Sequence, residues 1–177
     1  NLEETVSKKL PAKQAALIQA FIDQYYANTS FEDLASRELI DLFGATLSMW
    51  NLLYQRAPGE TKVHVYNPHF EQNGWQSTHT IIEIATDDMP FLIDSLRMAI
   101  ARAGLGIHLT IHAGGMKLSR NNEHEVTAVM PIKTPVGNGV FAEAPIYFEV
   151  DRETDVETLT KLHDNIVKTL DDIKLCN

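Results

Sequence analysis

The chain of 177 residues has a single cysteine and no apolar run long enough to cross a lipid bilayer. Cys176 cannot form a disulfide within the chain, and it leaves no cysteine-based zinc site. A lone cysteine is typical of proteins from a reducing compartment, so we expect a cytoplasmic protein. A spanning helix would need about 20 consecutive apolar residues, so the sequence predicts no membrane-spanning segment.

Basic residues are also few, with 15 Lys and Arg against 24 Asp and Glu and a formal net charge of −9. Such a surface repels phosphate backbones and anionic lipid heads, so we expect neither nucleic acid nor a membrane surface as a partner. With 9 Gly, 7 Pro and 44% hydrophobic residues, the composition is that of an ordinary globular domain. The chain also lacks an initiator Met and a signal peptide, so we expect it to be processed or cut from a longer protein.

Helical spacing of apolar residues dominates the first third of the chain, up to Pro58-Gly59. One stripe contains Leu17, Phe21 and Tyr25, and a second runs from Leu39 to Tyr54. Gly44 interrupts the second stripe at a cost of about 1 kcal/mol against alanine, unless a close neighbour uses the space. The pattern predicts a segment of two or three helices over residues 1–57, followed by an α+β domain over residues 58–177.

From about Ser77 onward, alternating and helical patterns follow one another in the order β-α-β-β-β-α. The simplest packing is a ferredoxin-like antiparallel sheet with both helices on one face, which gives the α+β class. This arrangement lacks its final strand. That strand lies either beyond Asn177 or in the segment near Val63, and the sequence leaves both possibilities open.

Two groups of polar residues invite a chemical interpretation. His108 and His112 lie four residues apart on a predicted strand, about 13 Å from each other, which is too far for two ligands of one metal. Asp87 and Asp88 precede a helix, where capping of free N–H groups is the favoured interpretation over acid-base catalysis. A helix N-terminus also attracts a carboxylate, and the two Asp side chains would attract an amine. An amino acid presents both groups.

Glycines and serines give no catalytic signature in this sequence. Gly104-Leu105-Gly106 does not stand between a strand and a following helix, as phosphate-cradling glycines do. The serines lack the pattern of a nucleophile elbow. We therefore expect no catalytic residues and no cofactor site within this chain.

Several uncommon sequence motifs occur in the same order as in a known protein family, which this chain resembles. They include Val63-His64-Val65-Tyr66-Asn67-Pro68, Gly74-Trp75-Gln76-Ser77-Thr78-His79-Thr80 and Asp87-Asp88-Met89-Pro90-Phe91-Leu92-Ile93-Asp94-Ser95, with Asp41-Leu42-Phe43-Gly44-Ala45 upstream. Together they resemble the N-terminal region of the large bacterial NAD-specific glutamate dehydrogenases. The resemblance implies oxidation of L-glutamate to 2-oxoglutarate and ammonia with NAD in the whole enzyme, whose catalytic core lies downstream of this region.

The resemblance also implies ACT-type modules, which are ferredoxin-like folds that commonly bind amino acids and transmit regulation between subunits. Such modules often bind their ligand at the loop after the first strand and the start of the first helix, against a strand of a neighbouring module. ACT modules tend to carry a glycine after the proline of this loop, where this chain has Phe91. The effector site implied by the resemblance consists of Asp87, Asp88, Met89, Pro90, Phe91 and Gly106. Gly106 is expected to face the loop formed by the other five residues.

Two functions follow as expectations. The first is a non-catalytic regulatory and assembly domain that contacts downstream domains of its own chain, pairs with other copies and binds an amino-acid effector. The alternative is a stand-alone small amino-acid-binding protein or enzyme. A stop codon near Asn177 would favour the alternative, and a long open frame would favour the first.

Overall fold

A computed structural model describes residues 12–177; residues 1–11 of the predicted helical segment lie outside the described residues. The described chain is an antiparallel sheet with helices on both of its faces. In chain order the elements are α1 (Ala12–Tyr25), α2 (Phe31–Leu34), α3 (Leu39–Tyr54), β1 (Lys62–Tyr66), α4 (Phe70–Asn73), β2 (Thr80–Asp87), α5 (Leu92–Arg102), β3 (Ile107–His112), β4 (Met116–Arg120), β5 (Val126–Met130), β6 (Val140–Val150) and α6 (Val156–Leu175).

The strands lie in the order β1-β2-β6-β4-β5, and β3 pairs with β6 beside β4. Every pair is antiparallel. The predicted α+β, ferredoxin-like class is confirmed. β1 pairs with β2 from Lys62 opposite Ala85 to Tyr66 opposite Ile81. The final strand of the fold, which the sequence left unplaced, is therefore the segment near Val63.

The two faces of the sheet pack against different helices because side chains alternate along each strand. Ile82, Ile84 and Phe148 point towards α5 and α6 and are fully buried. Ile81 and Ala85 point the other way, into a second core formed with α1 and α3. β2 is therefore buried on both faces, and its buried residues include Glu83 as well as the apolar side chains. No helix among residues 12–177 is long and apolar enough to cross a membrane.

Pro135 and Gly137-Asn138-Gly139 predict a loop over residues 133–144, but residues 140–144 belong to β6, which is therefore longer than this pattern predicts. Its far edge pairs with β4 at Glu143 and with β3 at Ile146, and the bend at Gly114-Gly115 separates these two partners. Pro145, which cannot donate a ladder hydrogen bond, lies at this gap. The proline therefore does not end the strand.

Candidate functional site

The candidate residues Asp87 to Phe91 connect β2 to α5, and Asp87 is the last residue of β2. The Oδ1 atom of Asp87 accepts a hydrogen bond from Nη2 of Arg56 at 2.7 Å. Its Oδ2 atom accepts one from the backbone N–H of Gly59 at 3.0 Å. Both carboxylate oxygens of Asp87 are therefore engaged within the chain, and Asp87 positions the loop rather than facing a ligand.

Arg56 belongs to a buried charge network that the sequence patterns do not indicate. The fully buried Glu143 accepts hydrogen bonds from Nε of Arg56 and from Nε of Arg120, each at 2.8 Å. Two guanidinium groups thus face the two carboxylates of Glu143 and Asp87, which balances the charge. The four residues come from separate parts of the sequence, so no local spacing signals them.

Asp88 is exposed and lies against the bend between β3 and β4. A Cβ atom on Gly114 would lie 3.3 Å from Oδ1 of Asp88 and 2.6 Å from Nε2 of His112. A side chain at position 114 would therefore displace the ring of His112 and crowd the carboxylate of Asp88. Burial lowers the pKa of His112 below its ordinary value; the Asp88 carboxylate opposes this shift and Arg97 adds to it. This side of the loop presents a carboxylate beside a largely neutral imidazole.

The start of α5 differs from the predicted Asx cap. The helix begins at Leu92, its N-cap residue is Phe91, and no side chain caps it. Asp87 cannot cap it because its carboxylate is held by Arg56. Phe91 has a φ of 67°, the left-handed conformation that favours glycine, and its side chain is 78% exposed. The residue that replaces the glycine typical of related modules thus keeps a glycine-like backbone.

Within one copy of the chain, Gly106 does not face this loop. Ile107 at the start of β3 pairs with Val150, whereas Asp87 pairs with Glu143 at the opposite end of β6. Both β2 and β3 run antiparallel to β6, so the start of β3 lies beside the start of β2 and not beside its end. The glycines that meet the loop are Gly114 and Gly115.

Gly106 instead belongs to a polar cluster at that far end of the sheet. Its N–H donates to Oδ2 of Asp151 at 2.7 Å, and Nε2 of His108 lies 2.6 Å from Oδ1 of the same carboxylate. The ring of His108 stacks on His79, with centroids 4.3 Å apart and an interplanar angle of 19°. The pKa of Asp151 lies below its usual range, because of the bond from Gly106 and then the bond from His108.

The histidines do not assemble a metal centre in the part of the chain that the structure describes. No group of three or more His, Cys, Asp or Glu side chains with metal-binding geometry occurs there. His108 contacts Asp151, whereas His112 lies near Asp88 at the other end of β3. The two rings therefore take part in separate clusters.

A cavity of about 420 Å³, here called the α5–α6 groove, opens beside the exposed ring of Phe91. It lies between the outer sides of the two helices that cover one face of the sheet. Pro90 and Phe91 are the members of the predicted site that line it. Its other lining residues include Met98, Arg102, Asp172, Ile173 and Cys176.

Comparison with known proteins identifies the family. The model of the glutamate dehydrogenase ACT1 domain matches residues 21–166. The chain belongs to the glutamate dehydrogenase ACT1 domain family. Similar relatives are two NAD-specific glutamate dehydrogenases, from Halomonas elongata (38% identical over 174 residues) and Pseudomonas aeruginosa (34% identical over 174 residues). Each match covers 98% of this ACT1 chain but 11% of the relative. No solved structure gives a significant match.

Proposed function

We propose that this chain is a non-catalytic regulatory and assembly domain of a large, cytoplasmic NAD-dependent glutamate dehydrogenase. The observation that carries the proposal is membership of the ACT1 family together with the small share, 11%, of each relative that the chain covers. The whole enzyme would convert L-glutamate and NAD to 2-oxoglutarate and ammonia. Other domains of the same polypeptide would then be the chain's first partners.

The NAD site belongs elsewhere in the whole enzyme under this proposal. A dinucleotide fingerprint needs glycines between a strand and the N-terminus of the next helix. Gly104 and Gly106 lie in the reverse order, between the end of α5 and the start of β3, and Gly106 is bonded to Asp151. The residues in this turn do not fit the cofactor, and we assign no step of the reaction to them.

The open edge of β3 supports the assembly role. Among the described residues β3 pairs with β6 along one edge, and its other edge is open beside a shallow cavity that is lined in part by Asp33, Arg97 and Thr110. An exposed strand edge is a template for pairing with another chain, and an identical edge on a second copy is self-complementary about a two-fold axis. Replacement of Thr110 by lysine would place a charged side chain at this edge and would oppose the pairing.

The exposed part of the loop supports the regulatory role. Asp88 offers a carboxylate to an ammonium group, and the uncapped N-terminus of α5 offers N–H groups to a carboxylate. With Asp87 engaged by Arg56 and Gly106 at the other end of the sheet, the proposed effector contacts reduce to Asp88, Met89, Pro90 and Phe91. An amino acid carries both an ammonium group and a carboxylate, so it is the class of effector that we propose.

The whole enzyme provides the test, with and without the region of this chain. We expect its deletion to change the response of glutamate oxidation to added amino acids and to change the subunit number measured by light scattering. Thr110→Lys should weaken assembly, whereas Thr160→Lys on the exposed side of α6 should not. If deletion alters neither the kinetics nor the subunit number, the proposal is wrong.

A further inference from the structure

The α5–α6 groove lies between two helices that run in opposite directions, and one of its ends is the point where α6 finishes. α5 starts at the end of the sheet where Asp87 lies. α6 finishes at that same end, because Nζ of Lys174 donates to the carbonyl of Gly59 at 2.6 Å and the N–H of Gly59 donates to Asp87. Phe91, which precedes α5, and Asn177, which follows α6, therefore line the groove at the same end.

The groove exposes apolar side chains to water. Phe91 is 78% exposed and Met98 is 54% exposed, and both line the groove above the buried Ile173. Its lining residues carry charge only at Arg102 and Asp172. An exposed apolar patch with a polar border is typical of an interaction surface.

The backbone of Phe91 also indicates that another segment covers its ring. Its φ of 67° lies in the left-handed region, which disfavours a residue with a side chain. Such strain recurs at binding sites and is maintained there by surrounding interactions. Among residues 12–177 the ring gains little from packing, since most of it is exposed. An exposed aromatic anchor of this kind often dominates the stability of an interface once a partner buries it.

The end of α6 identifies which segment reaches the groove first. The N–H of Cys176 and the side-chain amide of Asn177 both donate to the carbonyl of Ile173, at 3.1 Å and 2.8 Å. These bonds close the last turn, so the backbone leaves the helix beside the groove. A segment that starts there needs to close only a short loop, which costs less entropy than the capture of a separate molecule.

We propose that the α5–α6 groove is the docking site of the segment that directly follows Asn177 in the same polypeptide. The proposal rests on the proposed function, in which this chain is 11% of a longer enzyme whose catalytic domains follow it. Met98 lies seven residues beyond Phe91, roughly 10 Å along α5, and four extended residues span about 13 Å. Apolar side chains of the segment cover Phe91 and Met98, and this contact fixes the ACT1 domain against the domain that comes next.

Photochemical cross-linking in the full-length enzyme tests the identity of the occupant. Phe91→p-benzoylphenylalanine places a photoreactive ring in the groove, and mass spectrometry identifies the peptide joined to it. We expect a peptide that contains the residues directly after Asn177, joined within a single polypeptide as judged by its mass on a denaturing gel. The matched control position is Phe31, which is 83% exposed in α2 and does not line the groove. The proposal is overturned by a peptide from elsewhere in the sequence, by a cross-link between subunits, or by no cross-link at position 91.

Alkylation of Cys176 gives a second readout in the same enzyme, since its thiol also lines the groove. Phe91→Ser removes the phenyl ring that the segment buries, so iodoacetamide should modify Cys176 at least about tenfold faster. Phe31→Ser should leave the rate unchanged, and a rate that is equal for the unsubstituted enzyme and Phe91→Ser overturns the proposal. The two proposals fail separately, because unchanged kinetics and subunit number on deletion refute the proposed function, whereas the cross-links and the reactivity of Cys176 refute only the docking.

Discussion

Replacement of Glu143 by glutamine tests the buried charge network most directly. The substitution keeps the shape of the side chain and removes its charge, so that Arg56 and Arg120 face a neutral amide. Asp87 remains as a carboxylate for Arg56, and its side chain is 36% exposed. We therefore expect Arg120 to become a buried cation without a compensating carboxylate.

The size of the effect follows from the burial of the partners. The side chains of Arg56 and Glu143 are fully buried and that of Arg120 is 1% exposed. Removal of one partner from a buried ion pair typically costs about 3–5 kcal/mol, because the remaining charge stays desolvated. Domains of this size are stable by about 5–15 kcal/mol, so Glu143→Gln should remove a large part of the free energy of unfolding.

Urea denaturation of the 177-residue chain measures this loss. Trp50 and Trp75 are the two tryptophans, and both are buried, so their fluorescence reports unfolding of the α1/α3 side of the sheet. Asp172→Asn is the control, since it removes a carboxylate from an exposed pair with Lys168 and should cost less than about 1 kcal/mol. If Glu143→Gln costs no more than this control, the reasoning about the network is refuted.

Three further predictions concern single sites. Gly44→Ala should destabilise the chain by about 1–3 kcal/mol in urea denaturation, since its Cβ would lie 2.4 Å from Cβ of Trp75; an unchanged midpoint would contradict this. Phe91→Gly should be more stable than Phe91→Ala by about 0.5–1 kcal/mol, because alanine keeps a Cβ at positive φ; equal melting curves would exclude strain there. Burial raises the pKa of Glu149, but hydrogen bonds from Arg37 and Tyr147 outweigh it and leave the pKa below its ordinary value. This stabilisation is present above the unfolded-state pKa of about 4.3 and is lost as pH falls through the lower folded-state pKa, so Arg37→Met should flatten the pH dependence of unfolding below about pH 4.3.

The sequence predicts local elements well where pattern and packing agree. Val63 and Val65 predict a short strand over residues 62–66, and the strand has those bounds in the structure. Ser30 followed by Asp33 predicts a helix N-cap, and Ser30 caps α2. Gly44 was expected to need a close neighbour, and Trp75 is that neighbour. These features depend on spacing within a short segment or on one contact that a small residue makes necessary.

Features that depend on the arrangement of distant segments could not be predicted in this way. The position of Gly106 depends on the direction of β3 relative to β2, which only the pairing of both strands with β6 reveals. The length of β6 was underestimated because Gly137-Asn138-Gly139 is typical of a loop, and only the pairing of residues 140–143 with β4 shows that the strand begins directly after it. The charge network was missed because its four members are scattered along the sequence.

The polar side of the sheet explains how the N-terminal helices are held. A ferredoxin-like sheet with helices on one face leaves its other face to solvent, where carboxylates are easily accommodated. Here α1 and α3 cover that face, so its buried carboxylates need hydrogen-bond donors. The residues before position 58 supply one donor to each: Ser48 donates to Glu83, Arg37 to Glu149 and Arg56 to Glu143. The division at residues 57 and 58 remains a prediction, and a cut there would remove these three donors together with the apolar cover of the sheet.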